Sequence, residues 1–184
     1  MGDQPDNRDP EARNPINDLY RLADIKRWHI VRMDQKQSVA EHCYFVSLLA
    51  MRLASAIGAP VGRCVQYALL HDAPEAWTGD IPSPLKDGPR LPVAEMMGDM
   101  NVDGIAPITY AVVKVCDIAE SIKFLKRNGN SRHCQLVQNK SEDKLWDLYG
   151  NLYDEFPNFN WDKGLAELRF FLDNSEETFV DDYI

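Results

Sequence analysis

Between Leu69 and Asp80 the sequence sets one imidazole and three carboxylates, His71, Asp72, Glu75 and Asp80, into an otherwise apolar stretch. Buried charge is costly unless it is paired or bound to a metal, so a fold built around this stretch must supply partners for it. A helix advances about 100° per residue, which would put His71 and Glu75 on one face with Asp72 within reach. Pro74 lacks a backbone donor and can kink or restart that helix, swinging Glu75 relative to His71.

The remaining pattern is helical. Leu19, Leu22, Ala23 and Lys26 recur at helix spacing behind a cap at Asn17 or Asp18, and the stretch from Arg27 to Arg32 straddles the end of that helix. Ser38 followed by Glu41 is a capping-box signature opening an apolar helix through His42, Phe45, Val46, Leu49 and Leu53, closed by Gly58 and Pro60. A third helix holds Val65, Ala68, Leu69 and the central stretch and runs to Gly79. A Pro- and Gly-rich connection follows from Ile81 to Pro92, then a short helix within 93–104 around Ala94, Met97 and Met100. Beyond Pro107, Ala111, Val112, Val115, Ile118, Ala119, Ile122 and Leu125 form one face of a helix ending near Gly129. Asn130 to Asn139 reads as polar linker, and Ser141 with Glu142 and Asp143 opens a helix striped by Leu145, Leu148, Leu152 and Phe156. A last helix carries Trp161, Leu165, Leu168 and Leu172. No stretch alternates with period two and no repeat is evident. The expectation is an all-α, single-domain bundle of about six to eight helices over residues 16–175, between a flexible tail at 1–15 and an acidic one at 176–184.

At 184 residues the chain is long enough to bury a core, and no apolar run approaches transmembrane length. The polar, Pro-rich opening has no apolar signal region, and Asp6 stands where a myristoylation signal wants Ser or Thr. The four cysteines, Cys43, Cys64, Cys116 and Cys134, form no metal-spaced set and read as reduced thiols in a cytoplasmic core. A net charge of −9 argues against a nucleic-acid polymer. Lys26, Arg27, Arg32 and Lys36 cluster, however, and with Lys86 and Arg90 they leave room for a small anionic ligand.

Two more polar residues interrupt apolar helices, His42 in the second and Asp117 in the one after Pro107. Alone, each has an ordinary explanation: a buried histidine is usually a satisfied core residue, and Asp117 could pair with Lys114 or Lys123. Jointly, His42, His71, Asp72 and Asp117 present two imidazoles and two carboxylates from three helices, a donor set suited to a divalent ion such as Zn, Co, Mn or Fe.

This order of residues resembles the H…HD…D signature of the HD-domain metal-dependent phosphohydrolases. Lys26-Arg27-Trp28, Val39-Ala40-Glu41-His42, His71-Asp72-Ala73-Pro74-Glu75 and Thr78-Gly79-Asp80-Ile81-Pro82 are similar to the YfbR-like branch, the bacterial 5′-deoxynucleotidases and their relatives. The likeness spans about residues 17–127. It implies that His42, His71, Asp72 and Asp117 bind a divalent metal, Zn, Co, Mn or Mg, that Glu75 serves the attacking water, and that Arg27 and Trp28 hold a nucleotide. The segment between His71-Asp72 and Asp117 is shorter than in the bacterial nucleotidases, which makes the chain more similar to compact phage members that hydrolyse dATP to deoxyadenosine and triphosphate. Those members share an Arg-Trp-x-Ile stretch, here Arg27 to Ile30, whose aromatic and aliphatic residues contact adenine. The resemblance also implies a homo-oligomer in the cytoplasm, the host's if the chain is phage-encoded.

The residues support such chemistry. A metal lowers the pKa of a bound water and polarises a phosphoryl oxygen, and Glu75 could orient that water or take its proton, with Asp72 beside it. The simpler reading of Glu75 is a solvated helix carboxylate. Arg27 offers a planar fork for phosphate or a surface partner for Asp24. Trp28 could stack on a base or fill a core, and Lys86 is a candidate phosphate contact. Asp80 could meet a sugar hydroxyl or merely cap the loop. Triphosphate release from dATP is the expected activity, with phosphate release from deoxynucleoside monophosphates as the alternative. A di-iron HD oxygenase would want more histidines than His29 and His133, and a non-catalytic nucleotide sensor would not need Glu75.

Overall fold

The computed structural model describes residues 15–80 and 104–173. They form a short α1 (Pro15–Leu19) continued by a 3-10 turn (Tyr20–Ala23), then α2 (Val39–Ile57), α3 (Val61–Leu70), a single turn α4 (Glu75–Thr78), α5 (Pro107–Asn128), α6 (Arg132–Glu155) and α7 (Trp161–Asp173). Among the described residues the only β pairings are two isolated bridges, Lys26 with Ser38 and Met33 with Gly129. The all-α expectation holds, and no described helix is long and apolar enough to cross a membrane.

Helix α2 is the central post, and its start is fixed locally. Ser38 Oγ accepts from the Glu41 amide at 3.1 Å, while the Glu41 carboxylate accepts from the Ser38 amide at 2.6 Å, so two orphan donors are satisfied reciprocally. At the other end Gly58 takes the left-handed conformation, φ 83°, and closes the helix onto Ala54. Val46, Leu49, Ala50, Leu53 and Ile57 of α2 meet Val112, Val115, Cys116, Ala119 and Ile122 of α5, Leu145, Tyr149 and Leu152 of α6, and Leu168 of α7 in one core. Gly164 lets α7 come close: a Cβ there would stand 2.6 Å from both Ile57 Cγ2 and Tyr149 Oη. The four cysteines are free and buried.

Three sequence expectations need correction. The first helix stops at Ala23 rather than reaching Lys26, because the chain turns there to pair Lys26 with Ser38. The third does not run to Gly79. It stops at Leu70; residues 71–74 form a turn held by Ala73 N–H to Leu70 O and Glu75 N–H to Asp72 O, both 3.0 Å, and α4 restarts after Pro74, which has no N–H to continue the α pattern. The stretch at 132–139 is helix, not linker. Ser131 caps α6 by accepting from the Cys134 amide, and Ser141 lies inside the helix bonded back to the Val137 carbonyl. The tail at 1–14, the loop holding Lys86, the helix foreseen within 93–104 and the acidic end lie outside the described residues.

Candidate metal centre and nucleotide site

The break between α3 and α4 places His71 and Asp72 opposite His42 of α2 and Asp117 of α5. Ala73 and Ala76, both buried, let the turn seat against α2, where Ala76 packs on Val39 and Cys43. Ligand atoms of His42, His71 and Asp117 lie within 4.8 Å of one another. His42 Nε2 is 3.2 Å from Asp117 Oδ1 and 3.8 Å from Asp72 Oδ2, which is itself 3.5 Å from His71 Nε2. Both rings are anchored through Nδ1, His42 on Glu120 Oε2 at 2.5 Å and His71 on the Ala68 carbonyl at 2.7 Å. With Nδ1–H donated to those acceptors, each Nε2 lone pair faces the cluster.

These residues fit a divalent ion. His42 Nε2 and His71 Nε2 are buried and make no hydrogen bond, which is unusual for buried ring nitrogens unless a ligand completes them. The charges agree. Burial and Arg27 push His42 down, but the neighbouring carboxylates of Asp117 and Glu120 outweigh them and raise it, whereas burial dominates at His71 and lowers it. Burial would raise Asp117, yet His42 and the Lys114 ammonium, 2.7 Å away, hold its carboxyl well below the usual range.

A second group of polar residues extends from the first. Arg27 points inward: its guanidinium lies 3.3 Å from Ser121 Oγ, 3.4 Å from Gln37 Oε1, 3.7 Å from Glu120 and 4.0 Å from Asp80. It is not a surface partner for Asp24. Asp80 reaches His29 Nδ1 at 3.2 Å as well as Arg27, so it joins this group instead of only capping a loop. Trp28 sits at φ 64°, a left-handed backbone that costs a bulky residue about 1–2 kcal/mol. Its ring lies nearly parallel to Phe124, centroids 6.3 Å apart, beneath the Arg27 guanidinium. Ile30 stands at the surface, 62% exposed. Glu75 opens α4 and is only 4% exposed, so it is not a solvated helix carboxylate.

Four participants were not singled out from the sequence: Gln37, Glu120, Ser121 and Phe124; Lys114, one of the two partners foreseen for Asp117, does pair with it. Glu120 matters most, because it orients His42, accepts from Gln37 Nε2 at 2.5 Å and faces Arg27. Its position three residues after Asp117, within the apolar run from Ile118 to Leu125, was the available signal. Glu120→Gln is expected to weaken divalent-metal binding about 10-fold or more, measured by competition with a chelating dye. Parent-like affinity would show that the carboxylate does not orient the ligand.

Imidazoles and carboxylates converging at a break after a His-Asp pair, inside an all-helical bundle, define a metal-dependent hydrolase of the HD type. The chain belongs to the HD-domain family, which its residues 19–98 match and to which a near full-length relative ties it. That relative, the dATP triphosphohydrolase of Acinetobacter phage SH-Ab 15497, is 34% identical over 92% of this chain and 96% of its own length. The structure of the cyanophage S-2L HD phosphohydrolase DatZ, bound to dA and one catalytic Zn2+ ion, is similar at TM-score 0.65 and 30% identity, covering 85% of this chain and 92% of that one. The 5′-deoxynucleotidase YfbR of Escherichia coli is 36% identical, but over 37% of each chain.

Proposed function

We propose that this protein hydrolyses dATP to deoxyadenosine and triphosphate, with His42, His71, Asp72 and Asp117 as metal ligands. The observation that carries this is the pair of buried, unbonded Nε2 atoms facing Asp72 and Asp117, in a chain alignable almost end to end with a phage dATP triphosphohydrolase. The bound ion, Zn, Co, Mn or Mg, supplies Lewis acidity that makes water a nucleophile near neutral pH and offsets phosphate charge.

In the reaction dATP + H2O → deoxyadenosine + triphosphate, a water oxygen bonds to the α-phosphorus and the bond from phosphorus to O5′ breaks. Glu75, assisted by Asp72, takes a proton from the water and passes it on to O5′ as that oxygen leaves. Arg27, held in plane by Ser121 and Gln37, presents its fork to the phosphate nearest the sugar. Trp28, braced by Phe124, stacks on adenine, Ile30 borders the base, Asp80 accepts from the sugar hydroxyl and Lys86 meets phosphate. Residues 16–175 form the catalytic domain between flanking segments 1–15 and 176–184, and the protein works in the cytoplasm. Self-association is supported by the exposed apolar row Tyr44, Phe45, Leu48 and Met51 on α2.

Product analysis on dATP and dAMP with added Mn, Co, Zn or Mg tests the assignment. Triphosphate and deoxyadenosine from dATP are expected. Orthophosphate from dAMP with no triphosphate from dATP would replace it by the 5′-deoxynucleotidase alternative, which the 37% coverage of YfbR supports less.

A further inference from the structure

Among the described residues Trp28 is the only one other than glycine with a positive φ. A turn that needed this conformation and nothing more would carry glycine, which adopts it without steric cost, whereas a bulky indole keeps it only when its surroundings hold it there. Those surroundings are local. Before Trp28, the Arg27 amide donates to the Gln37 carbonyl at 2.8 Å, in a loop closed at its base by the Lys26–Ser38 bridge and by the Val39 amide on Ile25 O at 2.9 Å. After it, the Val31 amide donates back to the Trp28 carbonyl at 3.1 Å, closing a four-residue turn. The far end of the loop is tied to the end of α5, where Met33 bridges Gly129 and the Asp34 amide donates to the Asn128 carbonyl at 3.0 Å.

Lys36 crosses this turn. Its ammonium donates to the Trp28 carbonyl and, at 2.9 Å, to the Val31 carbonyl, so one cation fastens both ends of the turn. The basic cluster of Lys26, Arg27, Arg32 and Lys36 read from the sequence as room for an anion thus divides. Arg27 turns into the site, while Lys36 directs two of its three donors to backbone oxygens. Fixing the direction of the Trp28 carbonyl restricts the ψ of that residue. Relaxation of Trp28 to an extended backbone would turn the oxygen away from Lys36 and swing the Cα–Cβ bond with it. The indole would then leave Phe124 and the small cluster of Val31, Leu125 and Cys134 on which it packs.

We propose that Lys36 is a positioning residue for the nucleobase: by clasping the Trp28 and Val31 carbonyls it locks the left-handed Trp28 backbone and holds the indole where the base stacks. This rests on the placement of adenine against Trp28 made above. Lys36 touches no part of the nucleotide in this arrangement. It acts through Trp28 alone, and its removal should be felt by the base and not by the metal.

The test is made on the full-length, metal-saturated protein, with deoxyadenosine binding followed by calorimetry. Lys36→Met is expected to weaken deoxyadenosine about 5-fold or more, because apparent affinity falls with the fraction of molecules whose indole is in place. Divalent-metal affinity, measured by competition with a chelating dye, should change less than about 2-fold, since no metal ligand loses a partner. Lys36→Arg, which can still donate to both carbonyls, should recover most of the loss. A second readout needs no ligand. Trp28 Nε1 is buried without a hydrogen-bond partner. The emission due to Trp28, taken as the difference between each protein and its Trp28→Phe form, should move to the red in Lys36→Met as the ring meets water. Parent-like deoxyadenosine binding or an unmoved Trp28 emission in Lys36→Met would overturn the clasp. So would equal losses of deoxyadenosine and metal, which would make Lys36 a general support of the fold. Trp28→Ala keeps the two claims separate, and it should itself weaken deoxyadenosine about 5-fold or more. If it does not, the placement of adenine on Trp28 fails, whereas a loss in Trp28→Ala beside intact binding in Lys36→Met sinks the clasp alone.

Discussion

Asp117→Asn is expected to cost both the metal and the reaction. The carboxylate is the point where two demands meet, since Oδ1 faces His42 Nε2 at 3.2 Å and Oδ2 binds Lys114 at 2.7 Å. An amide in its place keeps the volume but loses the charge, and it presents Lys114 with a neutral neighbour. Turnover should fall by about three orders of magnitude or more, because water without a metal has a pKa far above neutral. The same loss should appear without any substrate. In the parent, divalent metal at 100 times its dissociation constant should add about 2.7 kcal/mol of stability by mass action, and a chelator should remove it. The melting temperature of Asp117→Asn should respond to neither addition. A variant that still gains stability from metal, yet turns over poorly, would place Asp117 in catalysis but not in ligation.

The candidate ligands were legible because each broke a pattern. His42 and Asp117 interrupt apolar helical faces, and His71-Asp72 interrupts another, so burial followed from periodicity and the cost of buried charge did the rest. The capping box at Ser38 and the left-handed stop at Gly58 were readable for the same reason, since both act within one turn of chain. What sequence could not supply was whatever depends on a partner from another element. Glu120 looks like any helix carboxylate until α2 brings His42 against it. Arg27 had two readings until its neighbours proved to be Gln37 and Ser121, ten and ninety-four positions away. The first half of α6 carries few apolar residues, so its helical state is decided by the Ser131 cap and by Cys134 packing against Leu125 and Val31. Pro74 announced a break, but where Glu75 would lie after it was fixed only by the docking of α4 on α2.

Glu75→Gln separates proton transfer from assembly of the site. The side chain is 4% exposed at the first residue of α4, directly after the turn that positions His71 and Asp72, and a carboxylate kept from water at that place carries a cost with no role in the apolar core. Its charge is felt beside that of Asp72 by the Cys43 thiol, which burial and those two carboxylates drive well above its ordinary range. Glutamine matches its shape and can still accept a hydrogen bond from water, but it cannot take the proton. If Glu75 is the base, kcat should fall by about 10²–10⁴ while metal affinity and KM for dATP stay near the parent's, because only the transition state loses an interaction. A parallel fall in metal affinity would make Glu75 a support for the ligands instead. Parent-like kcat would leave the cluster without a base among the residues named here and would return the protein to the class of nucleotide sensors.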